Sequence, residues 1–467
     1  MKRALFTLTL AFTLLPGVAQ KITIGHLEPA NWWIGMKNPD VQLLVHGPGI
    51  GAATVTLDYP GVVLKEVAKA ESPNYLFLTL SVSPGAPAGR MPLVFRRGKA
   101  RLTHAYELRT RSADTTRIRG FSAADLIYLV MPDRFANGDP QNDRVAGMKE
   151  GAARDNPLGR HGGDLKGIAD RLDYVKDLGA TALWLNPVQS NDQEKASYHG
   201  YAITDYYQID PRFGTNETYK SLVDQSHARG LKVIMDLVHN HCGSGHWWMQ
   251  DLPARDWIHQ PDSAWPSYQS NFRASVISDP AGHVIFLDNH DLGRFYHEVG
   301  KDLDKFKMGV AFLLTTRGVP QLYYGTEILF DRSGSSHPDV RLDFPGGWRG
   351  DAVNAFTAAG RTAPQNAAFG YIRTLANWRK GKKVIHRGKL MQFVPEDNVY
   401  VYFRYDDRDA VMVVNGNAEA KTIPTARYAE RLKGYNRAKD VATGVTLPQL
   451  NRITIPARTA LVLELEK

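Results

Sequence analysis

Four apolar residues, Val284-Ile-Phe-Leu287, run directly into Asp288, Asn289, His290 and Asp291. The apolar run has the pattern of a strand buried on both faces. A buried parallel strand ending in ionisable side chains is how a βα barrel presents chemistry at its C-terminal face. Two carboxylates beside an imidazole suit a site that manages protons or a cationic transition state. A polar loop after a core strand is the plainer reading of this stretch taken alone.

The same kind of ending recurs twice. Asp236-Leu-Val-His-Asn-His241 closes another apolar run and places Asp236, Asn240 and His241 near a strand end, and Ser197-Tyr-His-Gly-Tyr201 follows a third. His199, His241 and His290 are thus expected to converge with Asp236 and Asp291 on one mouth. Zinc is disfavoured, because each histidine comes from a different strand end and not from paired or helical spacing. A pocket for a hydroxyl-rich ligand, with Tyr201 and Trp184 as flat faces, suits these residues better. Trp247 and Trp248 could extend that pocket or anchor their own loop. Cys242, the one cysteine, has nothing nearby to activate a thiolate and reads as packing.

A second cluster of oxygens lies upstream. Asn137, Asp139, Asn142 and Asp143 share one turn, followed by Gly162 and Asp164. These are the hard ligands calcium prefers, and equally the residues of an Asx-rich turn. An EF-hand is excluded, since the twelfth position counted from Asn137 is Met148 where that loop needs Glu.

The elements that must position these residues alternate. Leu126 to Val130, Ala182 to Leu185, Val233 to Val238 and Gln321 to Tyr324 are further buried-strand candidates. Ile168, Leu172, Val175 and Leu178 lie near helical spacing behind Asp164 as N-cap, and Tyr219, Leu222 and Val223 mark a helix closed by Gly230. The stretch from Lys305 to Thr316 predicts a helix, as do Phe369, Ile372, Leu375 and Trp378 after Pro364. Alternating strand and helix predicts a parallel sheet, and the expected class is α/β. The expected domains are a barrel over 120–382 between two β-sandwiches, 21–112 and 383–467, the first immunoglobulin-like. Short strands split by Gly/Pro turns carry the sandwich assignments.

The 467 residues are 43% hydrophobic and 22% charged, a globular composition. The net charge of +9 is scattered and forms no basic block interleaved with aromatics, so a nucleic-acid partner is not expected. Residues 1–20 have the n-region, short apolar core and small-residue end of a secretory signal, which predicts export to a periplasm or beyond. No later run approaches the ~20 apolar residues that a membrane span needs.

The chain resembles the α-amylase superfamily, glycoside hydrolase family 13, most of all its cyclomaltodextrinase and neopullulanase branch. Asp236-Leu-Val-His-Asn-His241 and Phe286-Leu-Asp-Asn-His-Asp291 match two signature regions, and Gly179 to Pro187, Tyr198 to Tyr201, Asp210 to Thr215 and Gly318 to Glu327 match others. The resemblance implies a (β/α)8 barrel and a retaining hydrolase of α-1,4-glucosidic bonds. It implies that Asp291 stabilises the oxocarbenium-like transition state while His199, His241 and His290 hydrogen-bond the sugar ring. Tyr201 would stack on that ring, with Asp236 and Asn240 supporting the geometry. It further implies calcium held by Asn137, Asp139, Asn142, Asp143, Asp164 and a Gly162 carbonyl, α-glucan oligosaccharides as partners, and pairing of copies through the N-terminal domain.

One departure matters more than the matches. The family's nucleophile sits on the fourth barrel strand in a Gly-x-Arg-x-Asp pattern and its acid/base Glu ends the fifth; neither is encoded. Only 55 positions separate Asp236 from Asp291. Strands four to six and their helices would need roughly 90 more residues at the barrel's average spacing. The sequence therefore predicts an incomplete barrel with its seam at Asp279 to His283, and no activity. Arg341-Leu-Asp343, Glu298 and Glu327 lie after strand seven and do not replace the missing pair. A non-catalytic maltodextrin-binding protein is the alternative.

Overall fold

The computed structural model describes residues 21–114, 120–255, 257–258, 282–407 and 410–467. The expected leader over 1–20 and the seam residues Asp279 to Ala281 lie outside them. The chain divides into two units, Met1–Arg117 with Trp247–Ser270, and Ile118–His246 with Asn271–Lys467.

The first unit is a sandwich of two four-stranded sheets. One runs His26–Glu28, Asp40–His46, Tyr75–Val82, Val62–Lys69, and the other Asn31–Trp33, Ala100–Arg109, Gly89–Arg97, Thr54–Leu57. Period-two alternation makes them: Leu76, Leu78, Leu80 and Val82 are buried from one strand, facing Met91, Leu93 and Phe95 from another. The segment after His246 belongs to this unit, not to the 120–382 domain expected from sequence. Asp251 fastens it, accepting from Ser72 Oγ at 2.9 Å and Asn74 Nδ2 at 2.8 Å. Trp247 stacks on His26 with ring centroids 4.1 Å apart and planes 5° from parallel.

The second unit is built on five parallel strands in the order Lys232–Met235, Ala182–Leu185, Ile127–Val130, Val319–Tyr323, Val284–Phe286. Three strands have both faces covered. Ile127, Ala182 and Val319 meet on one face, while helices Leu172–Leu178, Leu303–Thr315 and Ala363–Lys380 cover the other. In the Leu303 helix, Asp302 caps the first turn by accepting from Asp304 and Lys305 N–H, and Phe306, Val310 and Leu314 form the buried stripe. Burying side chains of that size stabilises by about 1.5–3 kcal/mol each. The helix expected after Pro364 starts at Ala363, capped by Thr362 in a reciprocal pair with Gln365, and carries the proline in its first turn. The helix expected behind Asp164 is two short ones, Leu165–Ala169 and Leu172–Leu178.

The outer strands differ from the inner ones. Among the described residues, the Lys232 and Val284 strands each pair on one side only. Met235 is 41% exposed on one edge and Phe286 43% on the other. Beyond the sheet, the same unit contains a six-stranded antiparallel sheet over 389–466 and the pair Lys421–Pro424 with Arg452–Ile455. No helix among the described residues is long and apolar enough to cross a membrane.

Candidate functional site

Each strand of the parallel sheet ends on the same side, and the polar residues that follow gather around Tyr201. Its hydroxyl donates to Asp236 Oδ2 at 2.9 Å and accepts from Asn186 Nδ2 at 2.9 Å. The indole of Trp184 donates to the same carboxylate oxygen at 3.2 Å. Tyr201 N–H donates to His199 Nδ1 at 2.8 Å, and its carbonyl lies 2.9 Å from His241 Nε2. Its ring stacks on His290 at 5.2 Å and 14°. The ring thus has one face taken by an imidazole, and only the other could meet a ligand.

Asp291 stands beside this stack, its side chain half exposed. Arg341 Nη2 donates to Asp291 Oδ1 at 3.0 Å, and the same guanidinium holds the His290 carbonyl at 2.9 Å and the Tyr198 hydroxyl at 3.1 Å. His290 Nε2 lies 3.3 Å from the second Asp291 oxygen. Asn289 Oδ1 accepts from the N–H groups of Asp291 and Leu292, the local turn that re-aims the chain after the strand. Arg341, which mimics part of a catalytic motif in sequence, is here a positioning residue for Asp291.

Other expected residues fall elsewhere. Asp288 is buried, accepting from Thr326 Oγ1 at 2.9 Å and Phe295 N–H at 3.0 Å, so the two carboxylates of the opening stretch part company. Burial pushes the Asp288 carboxyl up. Asn240 is exposed and lies 3.2 Å from His241 Nδ1. Trp247 is committed to His26 in the first unit. Cys242 is half-buried, its thiol raised by burial, which is opposite to activation. Glu327 is fully buried, with the hydroxyls of Tyr128 and Tyr174 each donating at 2.7 Å. Asp343 is paired with Arg154 and His161.

Burial drives the His199 imidazole down to about 4, helped by the positive charges of Arg341, His337 and His290 and opposed by Asp291. Unfolded histidine titrates near its ordinary 6.5, so between pH 6.5 and about 4 the unfolded chain binds the extra proton. Stability therefore falls as pH drops through that window. At about 1.4 kcal/mol per unit the loss is on the order of 3 kcal/mol. His199→Asn keeps an acceptor for Tyr201 N–H and should flatten the decline in thermal unfolding between pH 7 and pH 4.5. An unchanged slope would exclude His199 as its source.

The upstream oxygen cluster also assembles. Asp164 accepts from the N–H groups of Gly138, Asp139 and Gly167, and Asn137 Nδ2 donates to Asp143 Oδ1 at 2.8 Å. Asn137 Oδ1 and Asn142 Oδ1 are buried without a hydrogen-bond partner. Gly162, at φ +88°, passes so close that a Cβ would stand 2.3 Å from Asp143 Oδ1. Burial raises both Asp143 and Asp164, and neighbouring carboxylates raise Asp143 further. Among the described residues no three His, Cys, Asp or Glu side chains form a metal-holding group. The oxygens here come from amides as well as carboxylates. That donor set, with two orphaned amide oxygens, fits calcium and not zinc.

The family model for the α-amylase catalytic domain matches residues 129–279, that for the cyclomaltodextrinase N-terminal domain 26–112, and that for the cyclo-malto-dextrinase C-terminal domain 390–464. Neopullulanase 2 of Thermoactinomyces vulgaris is 36% identical over 203 residues, covering 40% of this chain and 34% of the relative. A cyclomaltodextrinase of Thermoanaerobacter pseudethanolicus is 42% identical over 127 residues, 27% of this chain and 21% of the relative. The match thus spans about a third or less of these curated relatives. An α-amylase from Anoxybacillus has a similar fold, with TM-score 0.60 at 21% identity, covering 75% of this chain and 99% of that one. The α-amylase from Geobacillus thermoleovorans, solved with acarbose, gives TM-score 0.58 at 22% identity over 75% of this chain and 100% of that one.

Proposed function

Because the chain belongs to the α-amylase superfamily, in its cyclomaltodextrinase and neopullulanase branch, we propose that it recognises α-1,4-glucans at the strand ends without hydrolysing them. The observation that carries this reading is the Tyr201–His290 stack flanked by Asp236 and Asp291. It turns the Tyr201 face away from His290 towards a pyranose ring and the half-exposed Asp291 carboxylate towards its hydroxyls. The chain is by kinship an α-glucan hydrolase that keeps the family's third carboxylate and lacks the other two. We read the five-stranded sheet as a barrel without its fourth to sixth strands. The half-paired edges with exposed Met235 and Phe286 support that reading, as does a catalytic-domain match that stops at residue 279.

Calorimetric titration of the full chain with maltoheptaose tests the recognition. Tyr201→Ala removes the stacking face and should weaken binding at this site by roughly tenfold to a hundredfold, the worth of a ring contact plus a hydrogen bond. Binding that is indifferent to Tyr201 would overturn the site assignment.

Calcium belongs to the same proposal. Asn137, Asp139, Asn142, Asp143, Asp164 and the Gly162 carbonyl would hold it, and its charge would tie the turn 137–143 to the N-cap of the Leu165 helix. Saturating calcium at about 100 times its dissociation constant should add ~2.7 kcal/mol of stability. The rise in unfolding temperature should disappear in Asn142→Ala and should not be reproduced by zinc. No calcium-dependent shift in the unaltered chain would remove calcium from the reading.

A further inference from the structure

A cavity of about 690 Å³ lies away from the strand ends, between the helices Leu303–Thr315 and Ala363–Lys380 and the C-terminal sheet. That volume suits a small ligand of a few rings. Tyr371 lies along it, half-buried, and no described residue hydrogen-bonds its hydroxyl. Lys307 Nζ stands 5.9 Å from the Tyr371 ring centroid and has no carboxylate partner among the described residues. Asp304 also faces the cavity, and Asp440 and Arg458 complete its charged lining. Arg458 is paired with Asp302 at 2.8 Å, and Asp440 accepts from Thr443 and the Val462 N–H, so one cation, Lys307, is left facing one carboxylate, Asp304. Neither an anion nor a cation is favoured, whereas a neutral molecule rich in hydroxyls would meet both donors and acceptors.

Gly370 supplies an independent observation. It sits in the interior of the 18-residue helix Ala363–Lys380 and lines the same cavity. A glycine there weakens the helix relative to alanine. Packing does not demand it, because a Cβ at this position would meet nothing within 4 Å. What the missing side chain leaves is open floor beside the Tyr371 ring. We propose that this cavity is a second saccharide-binding site, with Tyr371 as its aromatic floor and Gly370 kept bare to admit the sugar.

The chemistry fits a neutral oligosaccharide lying against one ring while hydroxyls reach Lys307 and Asp304. Burial raises the Tyr371 phenol, with Asp440 adding to the effect, so it remains a hydrogen-bond donor at every working pH. The site is argued from its own lining and stands or falls separately from the strand-end site.

Calorimetric titration of the full chain with maltotriose supplies the test. The unaltered chain should show two binding events. Gly370→Phe fills the cavity from an open position and should abolish one event while leaving thermal unfolding cooperative. Gly370→Ala should raise the unfolding temperature and keep both events. Tyr371→Phe should weaken the second event about tenfold, the size of one lost hydrogen bond. If Tyr201→Ala removes nothing and Gly370→Phe removes one event, the strand-end reading fails and this one holds. Stoichiometry unchanged by Gly370→Phe, or no binding in the unaltered chain, overturns the second site.

Discussion

Asp210→Ala should destabilise the second unit by about 3–5 kcal/mol, the cost of breaking a buried ion pair from one side. Asp210 is fully buried, and its carboxylate accepts from Arg212 Nε at 2.9 Å, Arg212 Nη2 at 2.7 Å and the Asn191 N–H at 3.0 Å. Arg160, also buried, lies 3.8 Å away and reaches towards Asp133 at 3.9 Å. Arg134 is bonded to that same Asp133 at 2.8 Å. Three buried guanidinium groups thus share two carboxylates. Removing one carboxylate leaves the excess positive charge without a counterion where water cannot reach it. On a total stability of roughly 5–15 kcal/mol such a loss is severe.

The pH dependence gives the prediction a second readout. Burial alone would raise Asp210, but Arg160 and Arg212 outweigh it and hold the carboxyl below its ordinary 3.8. A depressed folded value means stability that is full above about 3.8 and drains away as pH falls towards the folded value. Asp210→Ala should therefore lose stability at neutral pH and show a shallower acid limb. Asp210→Asn keeps the shape and one acceptor and should fall between the two. Denaturant titration at pH 7 and pH 3.5 decides it; a cost under about 1 kcal/mol would mean the arginines are satisfied without Asp210.

This network marks the limit of what sequence could show. The segment Asp210-Pro-Arg-Phe-Gly-Thr215 was recognisable as a family motif, yet its job of neutralising Arg160, fifty positions upstream, leaves no trace in periodicity. The strands were legible because apolar runs of four or five residues have few other uses; Ala182 to Leu185 is placed as expected. The third strand was not, spanning Lys232–Met235 where Val233 to Val238 was expected, because its last apolar residues already belong to the turn. The same limit applies at the site. His199, Tyr201, Asp236, His241, His290 and Asp291 do gather as the motif spacing implied. Asp288 does not, because strand alternation turns it towards Thr326. Arg341 could not be identified as the anchor of Asp291, since pairing between distant loops is decided by the fold that brings them together. Trp247 looked available from sequence and is held by His26.

Incubating the chain with maltoheptaose or a cyclomaltodextrin should release reducing ends no faster than buffer. A retaining glycosidase needs a nucleophile and a proton donor about 5–5.5 Å apart, and the donor must hold its proton near neutral pH. Among the described residues, the carboxyls that burial raises near the strand ends are Asp288 and Glu327, and both are buried against their partners, Thr326 in one case and Tyr128 with Tyr174 in the other. Neither can reach a glycosidic oxygen. Asp236 is occupied by Tyr201 and Trp184, and Asp291 by Arg341 and His290. Removal of a nucleophile alone costs on the order of 10⁶ in turnover where it has been measured. Asp291→Asn discriminates further. In a working hydrolase it would suppress turnover, whereas here it should alter only glucan affinity. Reducing-end release above background that Asp291→Asn abolishes would mean that a catalytic pair exists after all, and the recognition-only reading would be wrong.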